Sequence, residues 1–339
     1  MIDLSRRRIV FGVGALPVLA SLRSRAAPAR SVEESGYVRI GGIEQWISIR
    51  GMWRENPLLL FLHGGPAEAQ SPFLKEFAPW ESDFTVVNWD QRGSGKTYAK
   101  YRESTPDVSL ERMAQDAIEV ATYACRRLGK KRLIVVGHSW GAILGLAAVQ
   151  RDAAPFAALV GSGQPVNWQL SIEDRERYAR AQAEAAGDKA ALKALDAAAA
   201  LSADDGKRLA ASNRWRMTLG DLDYLKRVQG GFIGPSIADA KGDAADWIAG
   251  GEFSGPQLWR TITSFDARKL ERKIPVPFFV VQGRDDHVVS TAAAEAFVET
   301  VHAPAKGFVA IDGGHFACFT NPQQFVQALR DNVRNYALG

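Results

Sequence analysis

Leu133-Ile134-Val135-Val136-Gly137-His138-Ser139-Trp140-Gly141-Ala142-Ile143-Leu144 is the stretch whose reading decides the fold. Its first four residues are a continuous apolar run, as in a short buried strand. Residues 137–141 then read G-x-S-x-G. A tight glycine-flanked turn after a strand holds a serine oxygen out at the end of a sheet, where it can act as a nucleophile. The pentad alone recurs by chance in unrelated chains, so the flanking elements carry the argument. Ala142, Ile143, Leu144, Leu146, Ala147, Ala148 and Val149 supply the other flank, a largely apolar run of good helix formers suited to packing against a sheet.

Outward from this stretch, strand and helix signals alternate. Ile43 to Arg50 alternates apolar and polar residues, while Leu58 to Leu62, Phe84 to Trp89, Phe156 to Val160, Pro277 to Val281 and Phe308 to Ile311 read as further strands. Leu110, Met113, Ala117, Val120, Ala124 and Leu128 recur at spacings of three and four, with Ser109 placed to cap the start and Gly129 the end. Helices over about 291–301 and 322–335 fill the later gaps. The alternation predicts an α/β fold, a mostly parallel sheet with helices on both faces. Strand signals vanish over about 164–265, which is rich in Ala, Arg and Asp. That segment is expected to be an inserted helical cap, dividing the core into residues 30–163 and 266–339. Gly230-Gly231 and Gly250-Gly251 are read as breaks between its helices, and Trp168, Trp215, Tyr224, Phe232, Trp247 and Trp259 as aromatics that either pack the layer or face a pocket.

Composition narrows the function classes. The 339 residues are 46% hydrophobic and 24% charged, ordinary for a globular enzyme. The formal charge of +4 is carried entirely by residues 1–29, where Arg6, Arg7, Arg8, Arg23 and Arg25 stand against Asp3. No basic excess remains to neutralise phosphates, which argues against a nucleic-acid partner. The same segment reads as an export signal: Ser5-Arg6-Arg7-Arg8, an uncharged stretch from Ile9 to Leu22, and Ala27-Pro28-Ala29 as a small-x-small cleavage site. The paired arginines after a serine resemble a twin-arginine signal. The apolar stretch is too short for a spanning helix, so the expected product is periplasmic or secreted, with no stable membrane anchor after processing. Cys125 and Cys318 make no disulfide framework and are expected to be reduced and buried, and the five histidines are scattered rather than clustered for a metal.

A serine hydroxyl needs a histidine to take its proton and a carboxylate to fix the histidine tautomer. In a sheet of this kind the chain order is Ser, acid, His. His302 ends a predicted helix, His287 sits beside the candidate acids, and His63 and His138 belong to other turns. His315, after a strand and Gly313-Gly314, is the one free to reach the sheet's end. Asp285 and Asp286 both follow the strand ending at Val281, and position alone does not separate them. The oxyanion hole needs backbone N–H groups from the residue after the nucleophile, Trp140, and from the loop His63-Gly64-Gly65-Pro66, with Gly65 preferred and Gly64 the near alternative. Gly93-Ser94-Gly95-Lys96-Thr97 ends like a phosphate loop, but Asp90 stands where the first glycine is required. Asp90 and Arg92 are therefore expected to make structural hydrogen bonds in a strand-end turn.

His63-Gly64-Gly65-Pro66, Trp89-Asp90-Gln91-Arg92-Gly93-Ser94-Gly95 and Gly137-His138-Ser139-Trp140-Gly141, in that order, resemble the proline iminopeptidase branch of the α/β-hydrolase fold. Gly283-Arg284-Asp285-Asp286 and Gly314-His315 are similar to that family's acid and histidine turns. The resemblance covers about residues 37–160 and 270–339. Its G-x-x-D pattern selects Asp286, so it implies a triad of Ser139, Asp286 and His315, an oxyanion hole of Gly65 and Trp140, no cofactor or metal, and a small-molecule or short-peptide substrate. It also implies an aminopeptidase or amidase working through an acyl-enzyme. The family's W-x-x-W-E run, whose carboxylate holds a substrate ammonium, is here Trp215-Arg216-Met217-Thr218-Leu219. Asp221, Asp223, Asp239 and Asp246 are the substitutes at hand, and the missing Glu lends weight to a carboxylesterase or lactonase with the same triad. A non-catalytic binding protein on this scaffold is the third reading, and the complete triad argues against it.

Overall fold

In the computed structural model, residues 31–230 and 241–338 are described, and the expected export segment, Gly231, Phe232 and Asp239 lie outside them. Eight strands form one sheet: β1 (Val32–Ile40), β2 (Ile43–Gly51), β3 (Leu58–Leu62), β4 (Thr85–Trp89), β5 (Leu133–His138), β6 (Phe156–Ser162), β7 (Phe278–Gly283) and β8 (Lys306–Ile311). Their order is β1-β2-β4-β3-β5-β6-β7-β8. The pairs β1/β2 and β2/β4 are antiparallel and all others parallel.

The central strands are apolar throughout because both faces are covered. Leu58, Leu60 and Leu62 pack into one core with Met113, Val120, Leu144 and Phe297, whereas Leu59 and Phe61 point the other way, towards Phe77, Trp80, Phe319 and Phe325. The first core is covered by α2 (Leu110–Leu128), α3 (Trp140–Arg151) and α9 (Thr291–Thr300), the second by α10 (Ala317–Thr320) and α11 (Pro322–Asn332). α1 (Gly95–Tyr101) follows β4. The Ser109 side chain accepts from Arg112 N, and Gly129 closes α2 in the left-handed region at φ 68°. Cys125 and Cys318 are both buried and free.

Between β6 and β7 lie α4 (Trp168–Ala185), α5 (Lys189–Ala198), α6 (Gly206–Ser212), α7 (Leu219–Gln229) and α8 (Asp243–Ser264). Gly250-Gly251 does not break a helix, contrary to the sequence reading; both glycines lie inside α8. For Gly250 the reason is a close approach, since a Cβ there would sit 3.0 Å from Gly93 O and 3.2 Å from Ser94 Cα, while Gly251 has no such neighbour. The edge strand β1 carries no strand signal in the sequence, since Glu33, Glu34, Ser35 and Gly36 lack an apolar pattern. Among the described residues no helix is long and apolar enough to cross a membrane.

Candidate active site

Six parallel strands, β3 to β8, end at the same edge of the sheet, where crevices form in open α/β folds, and β3, β5, β6, β7 and β8 lead into the site. Their next residues are His63–Pro66, Ser139, Gly163, the turn containing Asp286, and the loop to His315. Ser139 occupies the turn at φ 54°, ψ −118°, a region L residues rarely adopt. Such strain costs on the order of 1–3 kcal/mol and persists only where the surroundings enforce it. Here Ser139 N donates to Ser162 O at 2.9 Å, and α3 begins at the next residue. The turn is tight enough that a Cβ on Gly141 would lie 2.0 Å from Leu62 O, and one on Gly137 2.2 Å from Gly141 O. Glycine at both ends of the pentad is thus a steric requirement.

Asp286, not Asp285, meets the histidine. Its Oδ2 lies 2.9 Å from His315 Nδ1, while Oδ1 accepts from Val288 N at 2.9 Å and Val289 N at 3.1 Å. Asp285 is exposed. Burial opposes charge on the His315 ring, but Asp286, with Asp221 and Glu68 behind it, outweighs that and holds the imidazole above its ordinary value. With Nδ1 facing Asp286, Nε2 is the ring nitrogen left to exchange a proton. Among the described residues the Ser139 hydroxyl makes no hydrogen bond to this ring, a contact that in many enzymes tightens only with substrate in place.

The loop after β3 closes against the serine: a Cβ on Gly64 would lie 3.2 Å from Ser139 Cβ. Gly64 O accepts from Glu68 N at 3.2 Å, and Gly65, at φ 104°, lines the same cavity as Ser139 and Trp140. Two of the other histidines, His63 and His138, are buried beside the site. Burial lowers His63 to about 4 and His138 to about 3. The neutral His138 ring donates through Nε2 to His315 O at 3.0 Å. His287 lies 3.1 Å from Asp174 and stacks on Tyr178. Asp90 accepts from Ser71 and Lys96 N, and Arg92 is buried on Asp116, Gly41 O and Pro106 O, so that turn holds the fold together.

A cavity of about 230 Å³ opens on Ser139 between the sheet's edge and the inserted helices. Of the aromatics named from the sequence, Trp168 and Trp259 line it, meeting edge-on at 5.3 Å. Trp215 lies under Arg214, Tyr224 packs on Phe316 and Phe319, and Trp247 donates to Ala69 O. The acids singled out for a substrate ammonium are engaged elsewhere. Asp221 is wholly buried and accepts from Thr218 N, His315 N and Phe316 N, at 3.2, 3.0 and 2.9 Å. Asp246 pairs with Arg102 at 2.8 Å, and Asp223 is exposed. Among the described residues no acidic side chain lines the cavity; Arg175 and Arg216 line it instead. Nothing in the sequence singles out either arginine, although Arg216 sits within the run that departs from the family pattern. Among the described residues no group of three or more His, Cys, Asp or Glu side chains converges on a metal-sized position.

Comparison with known proteins agrees with this architecture. The sequence profile of the α/β hydrolase fold family matches residues 57–322. The probable aminopeptidase YbaC of Bacillus subtilis (strain 168) is 28% identical over 325 residues, 91% of this chain and 98% of its own. A proline iminopeptidase-related protein from Thermus thermophilus superposes with a TM-score of 0.62 at 21% identity, covering 90% of this chain and 99% of that one. A proline iminopeptidase from Mycobacterium smegmatis gives 0.61, also at 21%, covering 90% and 99%.

Proposed function

Because this chain belongs to the α/β hydrolase fold family, we propose that it is a serine hydrolase that cleaves small amides or short peptides through an acyl-enzyme, in the manner of an aminopeptidase. The single observation that carries this is the buried Asp286–His315 contact of 2.9 Å at the sheet edge where the strained Ser139 turn ends β5. In the proposed sequence His315 Nε2 takes the Ser139 hydroxyl proton as Oγ attacks the substrate carbonyl carbon. The tetrahedral oxyanion is held by the N–H groups of Gly65 and Trp140. His315 then returns the proton to the leaving amine as the C–N bond breaks, and water attacks the acyl-Ser139 ester by the same relay. Asp286 stays ionised and keeps Nδ1–H pointing at itself.

The aminopeptidase reading is supported by the relative named for that activity, which matches along nearly the whole chain. A carboxylesterase or lactonase is the second reading, favoured by the lack, among the described residues, of any acidic side chain lining the cavity. The inserted helices would act as the cap that shapes the acyl pocket, and residues 1–29 would direct export by the twin-arginine route. Amino-terminal sequencing of the processed protein would show cleavage near Ala29, and Met1 on a membrane-bound form would overturn the export proposal. Prolyl and alanyl anilides, each with the amine free or blocked, should be compared with a short-chain aryl ester. Turnover that needs the free amine supports the aminopeptidase, turnover of the ester alone supports the second reading, and full activity in Ser139→Ala would sink the mechanism.

A further inference from the structure

The cavity beside Ser139 holds two guanidinium groups that the proposed reaction does not use. Arg175, on α4, is buried, with Nε donating to His287 O and Nη2 to Val288 O, both at 3.1 Å. These bonds fix it to the turn that carries Asp286, and both acceptors are neutral carbonyls. Arg216, just before α7, is half-buried, and while its backbone N–H donates to Asn213 O at 3.3 Å, its guanidinium makes no hydrogen bond or ion pair among the described residues. Glu68 attracts it through space without closing to ion-pair distance.

Among the described residues, the other buried arginines are neutralised. Arg92 sits on Asp116 at 2.8 Å, and Arg208 holds Glu176 with two bonds of 2.7 and 2.9 Å. Glu176, adjacent to Arg175 in sequence, is therefore already engaged. Burial leaves both cavity guanidiniums below their ordinary range, Arg175 at about 10, and the Arg216 charge adds to that effect at Arg175. Asp286 and Glu176 act on Arg175, and Glu68 on Arg216, only through space; among the described residues no carboxylate closes on either guanidinium, and two such cations in an apolar pocket are costly until an anion enters. A planar guanidinium fork matches a carboxylate in shape as well as charge, and the same field repels an ammonium.

From this we infer that the cavity is built for substrates bearing a free carboxylate, seated on Arg216 and Arg175 while the scissile carbonyl lies at Ser139. The substrate class is a small amide or ester with one carboxylate end, such as a half-amide or half-ester of a dicarboxylic acid. The inference rests on the serine-hydrolase reading and favours its amidase or esterase form over an aminopeptidase, whose substrate ammonium this field opposes: Arg216 and Arg175 bind and select, and Ser139 and His315 do the chemistry.

The test uses three aryl esters of equal chain length, ending in a carboxylate, a methyl ester or an amine. The wild-type protein is expected to prefer the carboxylate over the methyl ester by at least ~10-fold in kcat/KM, as a charge-assisted contact implies. Arg216→Gln should reduce that preference by a similar factor, and Arg216→Glu should shift it towards the amine. Equal turnover of the carboxylate and methyl esters by the wild type, or an Arg216→Gln variant that lowers both alike, would overturn the inference. Calorimetric binding of glutarate to Ser139→Ala, with and without Arg216→Gln, reads the anion site without catalysis. Binding that Arg216→Gln weakens supports the site even if Ser139 proves not to be the nucleophile; no binding, or binding indifferent to Arg216, refutes it.

Discussion

Asp221→Asn tests how α7 governs His315, the proposed catalytic base. Asp221 stands at the third position of α7 and forms a capping box with Thr218, yet its two oxygens also take the backbone N–H groups of His315 and Phe316. The fit is close: a Cβ on Gly314 would fall 1.9 Å from Asp221 Oδ2. An asparagine keeps the shape but turns one acceptor into an NH2 group, which must then face at least one of these N–H donors. Losing a charge-assisted bond and leaving a buried donor unmet costs about 2–4 kcal/mol. For a chain of this size that lowers Tm by roughly 3–6 °C. The histidine loop should also lose its register with Ser139, so kcat should fall by about 10–100-fold while KM changes little. The Asp221 charge helps to raise His315, so its removal should move the acid limb of kcat/KM to lower pH. Differential scanning calorimetry and a pH–rate profile of the variant read these effects together. Unchanged Tm and kcat, or an acid limb moved upward, would refute the coupling of α7 to His315.

Three further outcomes are expected. Asp286→Asn should lower kcat by about 10⁴-fold through loss of the correct tautomer, with Asp285→Asn near wild type; the reverse pattern in steady-state kinetics would make Asp285 the acid. Gly141→Ala should abolish soluble expression or leave a protein without cooperative melting, because its Cβ would collide with Leu62 O, and a normal melt would show that the turn yields more than its geometry implies. Since the base must be neutral to accept the serine proton and its folded value is raised from 6.5, kcat/KM should rise with pH through a limb lying above 6.5. A limb below that value would contradict the Asp286 pairing. The sign for stability is the opposite: a raised histidine favours the fold at low pH, and that contribution is lost as pH climbs through the folded value.

The strand, turn and helix around Ser139 are legible in the sequence because their signals are local: an apolar run, glycines that sterics require, and an apolar helix. The caps of α2 are legible for the same reason, Ser109 and Gly129 each acting within one turn. β1 is not, because an edge strand half open to water needs no apolar stripe. Gly250 misleads, since glycine in a helix signals a break unless another backbone lies against it, as Gly93 and Ser94 do here. Choosing between Asp285 and Asp286 requires the resemblance, because both follow the same strand and only the fold shows which side chain turns inward. The arginines of the cavity and the anchoring role of Asp221 cannot be read from the sequence at all. Arg175 meets its partner 112 residues away and Asp221 meets His315 across 94, and no local pattern records such contacts.

The central claim, that Ser139 is the nucleophile of an acyl-enzyme, is tested most directly by reacting the protein with a fluorophosphonate and locating the adduct by peptide mass spectrometry. The phosphonyl group should appear on the Ser139 hydroxyl with loss of fluoride, in step with loss of hydrolysis, and labelling should vanish in His315→Ala. Label on another residue, or full hydrolysis by a protein completely labelled at Ser139, would contradict the account.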